Sequence, residues 1–133
     1  MIWVVDTSAL IRLYIPDGPT PQNLERAVLS AERCEDILFA PELLLAEVGQ
    51  TIIRKRHDGL LSHEDVRALL EHIQSLPLRL VPHGEIISRA CKMSFDLKLT
   101  VYDALFLALA EQHDGTLITA DQQLKSAAES LGH

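Results

Sequence analysis

The chain has 133 residues, 47% apolar and 23% charged, which fits one globular domain with a sizeable core. Its net charge of −7 argues against a simple electropositive nucleic-acid binder, and is compatible with a carboxylate-rich metal site or a basic protein partner. No apolar run reaches the ~18 residues that span a bilayer. The opening Met-Ile-Trp-Val-Val-Asp lacks the basic segment of a signal peptide. One cytoplasmic domain over residues 1–133, with no membrane association, is the expectation.

Residues 2–5 (Ile-Trp-Val-Val) are continuously apolar, as in a strand buried on both faces. A short helix over 7–14 is expected next, and then a loop from Ile15 to Pro21, where three prolines and a glycine cluster. Leu24, Ala27, Val28 and Ala31 recur at helical spacing. Residues 37–40 read as a second buried strand. Pro41 stands where a helix would start, and that helix is expected to run to about Arg56 and stop near Asp58-Gly59.

Ser62 and Asp65 have capping-box spacing ahead of an apolar stripe of Val66, Leu69, Leu70 and Ile73. Pro77 ends that helix. Residues 78–82 finish in proline and are assigned to a sheet edge. A helix with Ile86, Ile87, Ala90 and Cys91 follows. Residues 102–112 form a helix apolar nearly all round, hence central and buried. A strand over 116–119 and a helix over 121–131 complete the chain. The alternation defines an α/β fold: a mostly parallel central sheet with helices on both faces.

The two cysteines, Cys34 and Cys91, fall on the apolar faces or ends of predicted helices and are read as reduced, packed thiols. No Cys-x-x-Cys, Cys/His cluster or His-Glu-x-x-His spacing supports a zinc site or a disulfide framework.

Chemistry concentrates in four acids: Asp6, Glu47, Asp103 and Asp121. Asp6 and Asp121 fall at or just beyond the carboxyl ends of strands, where parallel sheets place their sites. Asp103 opens the apolar helix. Each aspartate alone is explained as a helix cap. Glu47, among Leu43, Leu44, Leu45, Ala46 and Val48, has little polar face to share, and either snorkels to water or faces a polar site. Together the four suit one cleft. Ionised at ~5 Å spacing and an effective dielectric of ~20, they would repel by ~3 kcal/mol per pair and about 20 in all. A domain stable by ~5–15 kcal/mol does not carry that unaided. Either some acids stay protonated or a divalent cation neutralises them, and oxygen-only ligation selects Mg2+ or Mn2+ over zinc.

Other candidates are secondary. Thr7, Ser8 and Thr119 flank the acids as cap hydroxyls or as groups that orient water. Arg54-Lys55-Arg56-His57 is dipole-favoured charge at a helix end, or a contact for a nucleic-acid backbone. Asp17 and Asp96 read as loop and surface residues. Tyr102 belongs to the core or to the cleft.

Val-Val-Asp-Thr-Ser-Ala-Leu at the start, Glu47 in the helix after the second strand, Thr-Val-Tyr-Asp-Ala-Leu-Phe-Leu-Ala-Leu-Ala at 100–110 and Leu-Ile-Thr-Ala-Asp at 117–121 resemble a PIN domain. Size and order are similar to the VapC-type toxins of toxin–antitoxin pairs, over nearly the whole chain. The resemblance implies a Mg2+- or Mn2+-dependent endoribonuclease whose acidic site is Asp6, Glu47, Asp103 and Asp121, with Asp6 and Asp103 as direct ligands. It implies Ser8 and Thr119 as supporting hydroxyls, a homodimer, and an antitoxin that inserts a basic side chain into the cleft. Many relatives carry Asn three residues after the glutamate; here that position is Gln50.

A cation held there would activate water for in-line attack on an RNA phosphodiester. Arg12, Arg54, Lys55, Arg56, Lys92 and Lys98 are the cations available to hold the RNA. Two other readings compete. One is a catalytically silent PIN fold used as a binding module, which is expected to have lost one of the acids. The other is a phospho-receiver domain, which wants an acidic pair after the first strand and a lysine after the last; this chain has Asp-Thr-Ser and Thr-Ala-Asp.

Overall fold

The computed structural model describes residues 1–15 and 18–133. Asp17, expected in the 15–21 loop, lies outside them. The strands are β1 (Ile2–Val5), β2 (Ile37–Pro41), β3 (Leu78–Val81) and β4 (Thr116–Ile118). All pair in parallel, in the order β3-β2-β1-β4. Trp3, Val4 and Val5 are all buried although successive strand residues face opposite sides, so both faces of the sheet are covered.

The covering helices are α1 (Thr7–Leu10), α2 (Leu24–Glu32), α3 (Leu43–His57), α4 (His63–Ser75), α5 (Ile87–Leu97), α6 (Val101–Gln112) and α7 (Gln122–Ser130). A 3-10 turn, Ile11–Leu13, completes the segment expected as one helix over 7–14. The Ser62–Asp65 capping box forms in both directions, and β3 is an edge strand, both as expected. Helix α6 buries every residue from Ala104 to Ala110 and packs against β1, β2, β4, α5 and α7. Burial all round over 104–110 explains why that stretch is uniformly apolar.

Two expectations are corrected. Pro41 does not open α3. It closes β2, paired with Val81, and α3 begins at Leu43. A proline serves there because the next residue supplies the donor: Glu42 N–H bonds Val81 O at 3.0 Å. Cys34 and Cys91 are exposed, not packed. Helix α5 turns Ala90 and Met93 inward, on the side of its buried N-cap Ile86, which rotates Ile87 and Cys91 toward the outside.

The chain builds outward from β1 through β2 to β3, then returns to place β4 on the other side of β1. The carboxyl ends of β1 and β4 therefore flank a reversal in strand order, the position at which open parallel sheets form a crevice.

Candidate active site

Asp6 follows β1 directly and caps α1, its Oδ1 accepting from Ala9 N–H at 2.9 Å. The capping role is therefore real, and it fixes the side chain at the crevice. Ser8 Oγ donates to the same carboxylate at 2.8 and 3.0 Å, and Thr119 Oγ1 donates to Oδ2 at 2.5 Å. Each carboxylate oxygen thus accepts from two groups, Oδ1 from Ala9 N–H and Ser8, Oδ2 from Thr119 and Ser8. The same hydroxyls tie in β4: Ala120 N–H donates to Ser8 Oγ at 3.0 Å, and Asp121 N–H to Thr119 Oγ1 at 3.0 Å. Ser8 and Thr119 thus lock the ends of β1 and β4 together around Asp6.

Asp121 caps α7 through Leu124 N–H at 3.0 Å. Asp103 occupies the first turn of α6, whose N-cap Thr100 accepts from Asp103 N–H at 3.1 Å. Glu47 lies one turn into α3, half-buried, and accepts from Thr7 Oγ1 at 2.8 Å. That link between α1 and α3 has no local signature, because it joins residues 40 apart in sequence. Nor does His83, whose Nε2 accepts from Leu43 N–H at 2.9 Å and so caps the helix carrying Glu47.

All four acids line one cleft of about 540 Å³. Arg12, Gln50, Arg54 and Tyr102 share its walls, so Tyr102 belongs to the cleft and not to the core. Of the cations considered from sequence, Arg12 and Arg54 reach the cleft wall, whereas Lys55, Arg56, Lys92 and Lys98 do not. Lys92 is held by Asp96 at 2.9 Å on the exposed side of α5.

Burial, more than mutual repulsion, sets the electrostatics. Asp6 is 4% exposed, and desolvation pushes its pKa up to about 6 from 3.8, against the lowering effect of its three hydrogen bonds. The Asp103 charge adds a smaller upward push. Asp103 is raised by burial and then by Asp121; Glu47 is raised by burial, lowered by Thr7, and raised again by Asp103. Asp103 is therefore the acid that feels or is felt by each of the other three. The even, close-packed repulsion assumed from sequence gives way to a cleft in which desolvation leads.

Among the described residues, no three His, Cys, Asp or Glu side chains already stand at metal-holding distance. The donor set nonetheless fits a hard divalent cation. It is all oxygen, with Asp6 buried and the other three acids half-buried, and Mg2+ is commonly held by one or two carboxylates while it keeps several waters. An open cleft of this size has room for those waters.

Fold and site together define the class. Residues 3–130 match the PIN domain family, and the chain belongs to it. Among similar proteins is ribonuclease VapC3 of Pyrobaculum aerophilum, 32% identical over 130 residues, spanning 96% of this chain and 95% of that protein. Ribonuclease VapC1 of Mycobacterium tuberculosis is 33% identical over 126 residues, spanning 93% and 89%. Among solved structures, PAE2754 from Pyrobaculum aerophilum superposes with a TM-score of 0.72 at 19% identity, over 98% of this chain and 86% of that one. FitAcB from Neisseria gonorrhoeae gives 0.65 at 18% identity, over 97% and 94%. No helix among the described residues is long and apolar enough to cross a membrane.

Proposed function

We propose that this protein is a Mg2+- or Mn2+-dependent endoribonuclease and the toxin of a toxin–antitoxin pair. The observation that carries the reading is the meeting of Asp6, Glu47, Asp103 and Asp121 in one cleft at the crevice of the sheet. Similarity to proteins named VapC ribonucleases supports the activity and the biological role.

A bound divalent cation supplies the positive charge that acidifies water and offsets negative charge on a phosphoryl group. The chain supplies the rest. Asp6 and Asp103 are the direct ligands in this reading, and Glu47 and Asp121 complete the acidic wall. Ser8 and Thr119 hold the Asp6 carboxylate in one orientation, and Thr7 holds Glu47. That fixed geometry avoids reorganisation when the substrate binds. Arg12 and Arg54, at the cleft wall, face a phosphate backbone that the −7 net charge would otherwise repel. The same acids suit a basic side chain delivered by an antitoxin, and a homodimer is part of the proposal.

Expression of the protein alone should slow growth, and Asp6→Asn should not. Equal toxicity of the two would remove the nuclease site from the explanation of growth arrest.

A further inference from the structure

A second groove of about 500 Å³ adjoins the acidic cleft. Its walls are the segment 19–23, the open edge of β4 and one face of α7 from Gln122 to Glu129. Arg12 lines both spaces. Its guanidinium is held at the divide by Pro19 O at 3.1 Å, and the Gly18 backbone packs so close that a Cβ there would stand 2.2 Å from Nη1. Thr119 also lines the second groove while donating to Asp6 at 2.5 Å. The groove is thus one hydroxyl away from the buried carboxylate.

Its chemistry differs from that of the cleft. Lys125 is exposed there and makes no ion pair among the described residues. Thr20, Asn23 and Gln122 add uncharged hydrogen-bonding groups. Among the side chains lining the groove, Glu129 is the one carboxylate beside Arg12 and Lys125. On a chain of net charge −7, a polyanion needs such local cations to approach at all. A peptide strand added to β4 is the rival occupant. It fits less well, because the outward Leu117 N–H is already taken by His133 O at 2.9 Å.

We propose that this groove binds the single-stranded RNA flanking the scissile phosphate, with Arg12 and Lys125 as its phosphate contacts. The proposal rests on the ribonuclease reading above and extends it to the path of the substrate.

The test is binding of a fluorescent single-stranded RNA dodecamer by anisotropy, across monovalent salt at constant magnesium. The protein is Asp103→Asn, which leaves the RNA uncut, alone or with Lys125→Ala. One lost phosphate contact should lower the slope of log affinity against log salt by about 0.7 and weaken binding about fourfold near ~0.15 M salt. Arg67→Ala, the same charge change at an exposed residue of α4 outside both grooves, should leave the slope alone. An unchanged slope with Lys125→Ala overturns the assignment and leaves the groove to a protein partner. Wild-type cleavage run in parallel separates the two claims. Cutting with Lys125-independent binding defeats only the groove, and Lys125-dependent binding without cutting defeats only the nuclease.

Discussion

Replacing Asp6 by asparagine keeps the shape of the side chain and removes its charge. In the fold this carboxyl titrates at about 6, against 3.8 for an ordinary aspartate, and burial is the leading cause. At 1.36 kcal/mol for each pKa unit, that difference amounts to about 3 kcal/mol. The sign follows from the direction. Between the two pKa values the folded protein keeps a proton that the unfolded chain has lost. The contribution of Asp6 to stability is therefore full below about pH 4 and declines as pH rises through about 6. Asp6→Asn has no charge to bury and escapes that decline. One bond must be re-sorted, since Thr119 Oγ1 donates to Oδ2 and would meet an amide group there, a cost of ~1 kcal/mol. The net gain near neutral pH is then about 2 kcal/mol, or roughly 6–8 °C in Tm for a domain of this size. Thermal melts in EDTA at about pH 7.5 and about pH 4 test it, and the gain should vanish or reverse at the lower pH. A variant that melts below the wild type at neutral pH, or that gains equally at both, would refute the reasoning.

Other outcomes follow from the same geometry. Thr119→Val removes a hydrogen bond that lowers the Asp6 pKa, so the acidic limb of the pH–activity profile should move to higher pH; an unmoved limb would remove Thr119 from the control of Asp6. Mn2+ should raise the Tm of the wild type, and the effect should fade as pH drops below about 6, where the ion competes with a proton for Asp6. Calorimetric titration of Mn2+ into Asp103→Asn should show strongly weakened binding, and wild-type affinity there would take Asp103 out of the ligand set.

The fold was legible because each element carried its own period. The apolar run at 2–5, the stripe at Leu24–Ala31 and the all-apolar helix at 104–110 each matched the element that forms. Where the sequence misled, a local rule met a tertiary context. Pro41 looked like a helix start, but its missing N–H is equally harmless at the end of β2, where Glu42 makes the next bond. Cys91 sat at helical spacing from apolar neighbours, yet Met93 and Ala90 define the buried side of α5. The acids were legible for a different reason. Strand ends and helix starts are marked in the sequence, and in a parallel sheet the marked ends converge. What was not legible was the wiring between them: Thr7 to Glu47, Thr119 to Asp6 and His83 to Leu43 join residues 40, 113 and 40 apart, and no local pattern encodes such pairs. Sequence also gave no measure of burial at Asp6, and so it credited mutual repulsion with a shift that desolvation leads.

The measurement that bears most directly on the central claim is cleavage of mixed cellular RNA by purified protein, with Mg2+ or Mn2+ against EDTA, beside Asp103→Asn. The account predicts cutting that needs the metal, stops in EDTA and is absent from the variant. Equal cutting by wild type and Asp103→Asn, or cutting that survives EDTA, would contradict it.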